Sequence, residues 1–152
     1  YRYHFTGLHH DKNGFPTEEI ETCRKLIQRL EDKVALHEDE VESYEEFMMD
    51  DAEIMIVAYG SVSLAAKESI RHLRAAGIKA GLFRPITIWP SPAKRIKEHT
   101  DKIETVLVVE LNIGQYHSEI QRASSRLDID GLFKVNGRAI SPHEIVSKVK
   151  EL

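Results

Sequence analysis

The sequence predicts an α/β domain built on a mainly parallel sheet. Three observations carry that prediction. Short apolar runs alternate with stretches whose apolar residues recur every three or four positions. Glycine, proline and asparagine signals separate the two kinds of segment. The apolar runs are almost wholly apolar rather than alternating, as strands covered on both faces are.

Taken in order, Tyr1 to Pro16 is polar, contains Gly7 and Gly14, and reads as a structured loop. Thr17 is placed to cap a helix opening with Glu18 and Glu19, where acids suit the helix dipole. Ile20, Cys23, Leu26, Ile27, Leu30 and Val34 form one apolar stripe on that helix, which ends near Lys33. A short edge strand is expected around Val41 to Tyr44, where acids suit exposure.

The remainder is clearer. Ile54 to Tyr59 is the first buried strand, and Gly60-Ser61 is its turn. Val62, Ala65, Ala66, Ile70, Leu73 and Ala76 then make a helical stripe that Gly77 terminates. Ile78 to Phe83 is the next strand, and Pro85, Pro90 and Pro92 punctuate the loop after it. Pro92 opens a short helix through His99. Thr105 to Leu111 is a third buried strand, Asn112 to Gly114 a turn, and Gln115 to about Leu127 a helix. Leu132 to Val135 is a fourth strand, followed by the turn Asn136-Gly137-Arg138. Ser141, Pro142 and Glu144 open the last helix with a capping box.

The bulk numbers bound the function. The 152 residues suit one domain plus an appendage, with a composition 41% hydrophobic and 30% charged. No apolar run has the length to cross a membrane. Tyr1 to Thr6 has neither an initiator Met nor a signal-peptide pattern. That is expected of a fragment, or of a chain whose beginning has been lost. Cys23 is the only cysteine, which excludes an internal disulfide and any site built on paired cysteines. A cytoplasmic location is the expectation. The net charge of −4 conceals an asymmetry: no Lys or Arg occurs from Val34 to Ala66, a stretch holding nine acids. That run is expected to be a solvated edge; a docking surface for a basic partner is the alternative. Nucleic acid is excluded as a partner for want of a clustered basic face.

Ligands on such sheets bind beyond the carboxyl ends of the strands. Those ends are Tyr59–Ser63, Arg84–Trp89, Glu110–Gln115 and Asn136–Ala139. Gly60-Ser61 lacks the glycine spacing of a dinucleotide or triphosphate loop, so a bare βα turn is expected there. His9, His10 and Asp11 lie together, and adjacent histidines rarely share one metal ion. Glu110 ends a buried strand and needs a partner; Arg84, ending what reads as the neighbouring strand, is the expected one. No spacing of Ser, Cys, His and Asp points to a nucleophilic catalyst.

Five segments in register resemble one family. They are Thr6-Gly7-Leu8-His9-His10-Asp11 with Gly14-Phe15-Pro16-Thr17; Asp51-Ala52-Glu53 with Val57-Ala58-Tyr59-Gly60-Ser61; and Arg84-Pro85-Ile86-Thr87-Ile88-Trp89-Pro90. Val109-Glu110-Leu111-Asn112 with Gly114-Gln115, and Asn136-Gly137-Arg138 with Ile140-Ser141-Pro142 and Glu144-Ile145, complete the set. Together they look like the alpha subunit of 2-oxoacid:ferredoxin oxidoreductases, and Arg84–Pro90 looks like the 2-oxoglutarate branch. Ser91 departs from the family, which usually has Phe after Trp-Pro, and His9-His10 from its acidic-His pairing.

The resemblance implies a three-layer α/β/α sandwich with a mostly parallel five-stranded sheet, like the transketolase carboxy-terminal domain. It divides the chain into residues 1–50, an interdomain linker with the amphipathic helix and acidic edge segment, and residues 51–152, the transketolase-C-like α/β domain. One strand would be antiparallel, and the acidic segment near Val41 would supply it. It implies an enzyme that oxidatively decarboxylates a 2-oxoacid to its acyl-coenzyme A. That whole enzyme uses thiamine diphosphate, Mg and iron–sulfur clusters and passes electrons to ferredoxin. This chain would hold none of these groups, have no catalytic residue, and be inactive alone. Its role would be structural, at an interface with the beta subunit and with gamma and delta subunits where present. Arg84, Trp89, Glu110, Asn112 and Gln115 are the candidate interface or channel residues, and His9 and His10 a candidate substrate-side loop. The alternatives are the equivalent domain of a transketolase or 2-oxoacid dehydrogenase beta subunit, or a free-standing module that binds anions or nucleotides.

Overall fold

The computed structural model describes residues 7–152, so Tyr1 to Thr6, with the first residue of the opening motif, lies outside it. The chain divides into two compact units, residues 1–41 and 42–152.

In the first unit, Asp11 organises a tight loop. Its carboxylate accepts from the backbone N–H groups of Asn13 at 2.8 Å and Phe15 at 3.0 Å, and a bridge joins His10 to Pro16. Helix α1 follows at Ile20–Ala35. Its N-cap is Glu19 rather than Thr17: the Glu19 carboxylate accepts from the N–H groups of Glu21 and Thr22 and satisfies two of the four orphan donors. Thr17 acts one step earlier, its hydroxyl accepting from Glu19 N–H at 3.1 Å. A short helix α2, Glu38–Val41, ends the unit.

The second unit is the α/β domain. Its strands are β1 (Tyr44–Phe47), β2 (Ile54–Ala58), β3 (Ala80–Pro85), β4 (Thr105–Glu110) and β5 (Asp130–Phe133). Its helices are α3 (Val62–Ala75), α4 (Ala93–Thr100), α5 (Gln115–Ser124) and α6 (Pro142–Glu151). The five strands form one sheet in the order β1-β3-β2-β4-β5. Every pairing is parallel except β1 with β3, which is antiparallel.

Alternation along each strand sorts the core into two layers. Ile56 and Ala58 of β2 and Leu107 and Val109 of β4 pack with α3 and α6. Met55, Val57, Val106 and Val108 pack on the other face with Ile96 of α4 and Tyr116 and Ile120 of α5. This is the three-layer sandwich that the family resemblance implies.

Several boundaries differ from expectation. Strand β3 runs Ala80–Pro85, two residues later than Ile78–Phe83, because it pairs with β2 from Ala80. The acidic edge strand lies at Tyr44–Phe47, because Val41 closes α2 and the register requires Glu45 opposite Arg84. Strand β5 starts at Asp130, two residues ahead of the apolar run, because it pairs from Leu107 onward. Helix α5 stops at Ser124, where Ser125 turns left-handed at φ 58°. One close approach is set by glycine. A Cβ on Gly81 would stand 2.6 Å from the Met48 carbonyl and 2.7 Å from the Met49 sulfur.

Candidate functional site

The carboxyl ends of β2 and β4 meet around Glu110. Its carboxylate is 1% exposed, and a buried carboxylate must be fully hydrogen-bonded. Four donors meet that requirement. Tyr59 Oη donates at 3.0 Å and Asn112 Nδ2 at 2.7 Å; the backbone N–H groups of Tyr116 and His117 donate at 3.0 and 2.7 Å. The last two belong to the first turn of α5, so the acid also meets the positive end of that helix.

Asn112 closes the cluster. It donates to Tyr59 Oη at 2.8 Å, and its Oδ1 accepts from Gly114 N–H at 2.8 Å and Gln115 N–H at 3.1 Å. Gly114 stands at φ 93°, and a Cβ there would stand 2.9 Å from the tip of the Phe133 ring, so a side chain would be strained and would have to displace that ring. Burial, then the neighbouring Glu110 charge, raises the Tyr59 phenol above its ordinary value. Tyr59 meets Tyr116 edge to face, with ring centroids 5.3 Å apart. Tyr116 is pushed up to about 12 by burial and shares a 2.8 Å hydrogen bond with Ser91. That bond ties the loop after β3 to α5.

Arg84 and Glu110 do not pair. β2 lies between their strands, because strands that follow one another in sequence need not be neighbours in a crossover sheet. Arg84 instead reaches Glu45 of β1 at 2.9 Å, and Lys67 of α3 holds the same carboxylate. These two cations, Lys67 before Arg84, keep the Glu45 carboxyl below its ordinary range. The Arg84 Nε is buried without a partner. On the opposite face of β1, Glu46 takes Arg95 at 2.6 Å and His99 at 2.7 Å. Asp51 pairs with Arg74 and Glu53 with Lys79, each at 2.7 Å. Much of the acidic run is therefore neutralised within the α/β unit rather than presented to a basic partner.

Trp89 is 72% exposed, and Ile86, Ile88, Leu111, Ile113 and Val135 are exposed on the same set of strand ends. Gln115 is exposed and engages Asn112 through its backbone. His9 and His10 belong to the first unit, where both are exposed and His10 Nδ1 lies 2.9 Å from its neighbour's carbonyl. Sequence reasoning missed Tyr59 and Tyr116, whose hydroxyl partners come from 51 and 25 residues away. It noticed Ser91 only as a departure.

The cleft beside this cluster, about 150 Å³, is floored by Gly60 and Ser61 and walled by Glu110 and Asn112. A diphosphate does not fit it, since its described lining includes a carboxylate and no Lys or Arg. An iron–sulfur cluster takes about four thiolates, and the chain has Cys23 alone. Among the described residues no group of three or more His, Cys, Asp or Glu is placed to hold a metal ion, and no helix is long and apolar enough to cross a membrane.

Residues 52–145 match the family described as pyruvate:ferredoxin oxidoreductase core domain II. The 2-oxoglutarate synthase subunit KorA of Methanothermobacter marburgensis is 36% identical over 98% of this chain and 40% of its own length. The ketoisovalerate oxidoreductase subunit VorB of the same organism is 40% identical over 81% of this chain and 35% of its own length. Among solved structures, the fold is shared with 2-oxoglutarate:ferredoxin oxidoreductase from Magnetococcus marinus. The TM-score is 0.81 at 24% identity, over 99% of this chain and 26% of that one. A split-gene transketolase aligns over 70% of this chain and 40% of that one, with TM-score 0.58 and 21% identity. The chain spans about 40% of the length of the 2-oxoglutarate synthase subunits that it matches.

Proposed function

This chain belongs to the pyruvate:ferredoxin oxidoreductase core domain II family, and from that premise we propose that it is the carboxy-terminal domain of a 2-oxoacid:ferredoxin oxidoreductase alpha subunit, working as an assembly domain. The relatives are subunits of oxidoreductases with more than one subunit. The proposed partners are the beta subunit, with gamma and delta subunits where present. The proposed whole-enzyme reaction is oxidative decarboxylation of 2-oxoglutarate to its acyl-coenzyme A, with ferredoxin taking the electrons. The KorA relatives and the Arg84–Pro90 segment support that substrate. The 40% identity to a ketoisovalerate oxidoreductase subunit supports a second reading, a branched 2-oxoacid.

Thiamine diphosphate would supply the carbanion chemistry of the whole enzyme. We place it, its Mg and the iron–sulfur clusters outside this chain: the cleft at Glu110 offers a diphosphate no cation, and Cys23 alone does not ligate a cluster. The work of this chain's own residues is positional. Glu110 holds Tyr59, Asn112 and the start of α5 in one arrangement, and Ser91 with Tyr116 steadies the loop that carries Trp89. His9 and His10 are proposed to lie on the substrate side.

The observation that carries the assembly reading is Trp89, 72% exposed among other exposed apolar residues at the strand ends. Large aromatics on rigid loops are common interface anchors. Trp89→Ala should shift the melting temperature of the domain by less than about 2 °C, because no packed volume is lost. The same substitution should weaken co-purification with the beta subunit at least about tenfold, as loss of an anchor does. A domain destabilised by several kcal/mol, with assembly intact, would reject the reading.

A further inference from the structure

The first unit holds a cleft that the assembly role does not use. It opens between the Asp11 loop and α1, with a volume of about 600 Å³, in the range that accommodates a small-molecule ligand. Thr22, Lys25 and Arg29 line it from α1. Their spacing of three, then four, places them on one helix face. His10, Asp11 and Lys12 line it from the loop.

Its charges are unbalanced. Asp11 is the only carboxylate among the described lining residues, and its Oδ1 already accepts from Asn13 and Phe15 of its own turn. Among the described residues Lys12 and Arg29 have no ion pair. Lys25 reaches Glu21 at only 3.5 Å, and Arg24 holds that same carboxylate at 2.8 Å. The loop is a fixed wall: Thr17 N–H donates to the His9 carbonyl, and Asp11 N–H to that of Phe15, each at 2.9 Å.

Three cations against one engaged carboxylate leave two positive charges around the cleft. A dianion matches them; a single carboxylate leaves one unmatched. The three donors of each lysine and the guanidinium fork of Arg29 suit the several oxygens of a phosphate. We propose that this cleft binds a phosphate group, free or esterified, between Lys12, Lys25 and Arg29. The proposal rests on the first unit alone and is independent of the family's chemistry.

The test is calorimetric titration of the protein at low ionic strength, with inorganic pyrophosphate as one probe and a nucleoside diphosphate as the other. Saturable one-to-one binding of at least one probe is expected. The paired substitution Lys12→Glu and Arg29→Glu should weaken it by at least about tenfold. Lys33→Glu, on the same helix but outside the cleft, should change it by less than about twofold, as a distant screened charge does. Equal affinity for the two probes identifies the phosphate alone as the ligand. Tighter binding of the nucleoside diphosphate identifies an ester. Absence of saturable binding, or an equal loss in Lys33→Glu, would overturn the proposal. Both charge-reversal positions are exposed. Should the double variant nevertheless lose its helical circular dichroism, Arg29→Gln alone must weaken binding or the proposal fails.

Discussion

Glu110 shows what a single residue does at the carboxyl edge. Taking an ionised carboxylate out of water costs several kcal/mol, and its four donors offset that cost only while all four remain. Glu110→Gln is nearly isosteric, yet it removes the charge and turns one acceptor oxygen into a second donor group. That group would then face the N–H of Tyr116 or His117, or the Asn112 amide. Urea denaturation should record a loss of roughly 3 kcal/mol, the sum of an unsatisfied donor and a weakened charged hydrogen bond. A loss below about 0.5 kcal/mol, the level of an ordinary surface change, would mean the cluster contributes little. That Glu110 needs partners was legible in the sequence, since an acid closing an apolar strand has to be satisfied. Which partners was not legible. Arg84 was the expectation, and it failed because sequence proximity of two strands does not report the strand inserted between them. Tyr59 and Asn112 come from different turns, and only the parallel register of β2 with β4 brings them to one carboxylate.

At the scale of elements, the buried strands and the final helix were legible because their signals are local. Helix α6 is the strongest case. The Ser141 side chain accepts from Glu144 N–H, and the Glu144 carboxylate accepts from Ser141 N–H, which completes the capping box anticipated from Ser141, Pro142 and Glu144. Strand β1 was less legible, because its charged residues carry no apolar period. Its logic is electrostatic: alternation sends Glu45 to the α3 side, where it meets Lys67 and Arg84, and Glu46 to the α4 side, where it meets Arg95 and His99. The α6 cap makes a pH prediction. Lys134 first, then Ser141, lowers the Glu144 carboxyl to about 2, against about 4.3 in an unfolded chain. A depressed folded value contributes stability that is complete above the unfolded value and lost as pH falls through the folded one. The contribution of the cap should therefore be intact above about pH 5 and fade between about pH 4 and 2. Acid titration followed by amide chemical shifts of Ser141 would record it. Glu144→Gln should flatten that segment of the stability profile, and an unchanged profile would show that the cap is not the titrating group.

For the whole molecule, the core is the deciding quantity. Every buried hydrophobic residue from Met49 to Val149 lies in the α/β unit, whereas α1 contains no buried residue. The apolar stripe on α1 was legible in the sequence. The expected boundary near residue 50 sets the acidic segment apart from the α/β domain, whereas strand pairing draws Tyr44–Phe47 into the sheet. Hydrophobic burial dominates the stability of a domain. The physical division should therefore follow the core and the sheet. We predict that a chain beginning at Glu42 unfolds in one cooperative transition, and that a chain beginning at Asp51 does so at a clearly lower temperature. The reason lies in β1 and in Met49, the buried core residue that follows it. Their removal would expose the hydrogen-bonding edge of β3, strip Glu45 from Arg84 and Lys67, and strip Glu46 from Arg95 and His99. Tyr44 would leave its stack on Phe83, and Phe47 its place against the core on the α3 side, where Lys67 and Arg71 lie over its ring. Loss of these contacts and of a buried methionine should total roughly 3–5 kcal/mol, a shift of more than about 10 °C for a domain of this size. Differential scanning calorimetry of the two truncations decides the matter. Equal melting temperatures would show that β1 is only an ornament on the edge, and a broad, non-cooperative transition in the longer chain would show that the α/β unit does not stand on its own core.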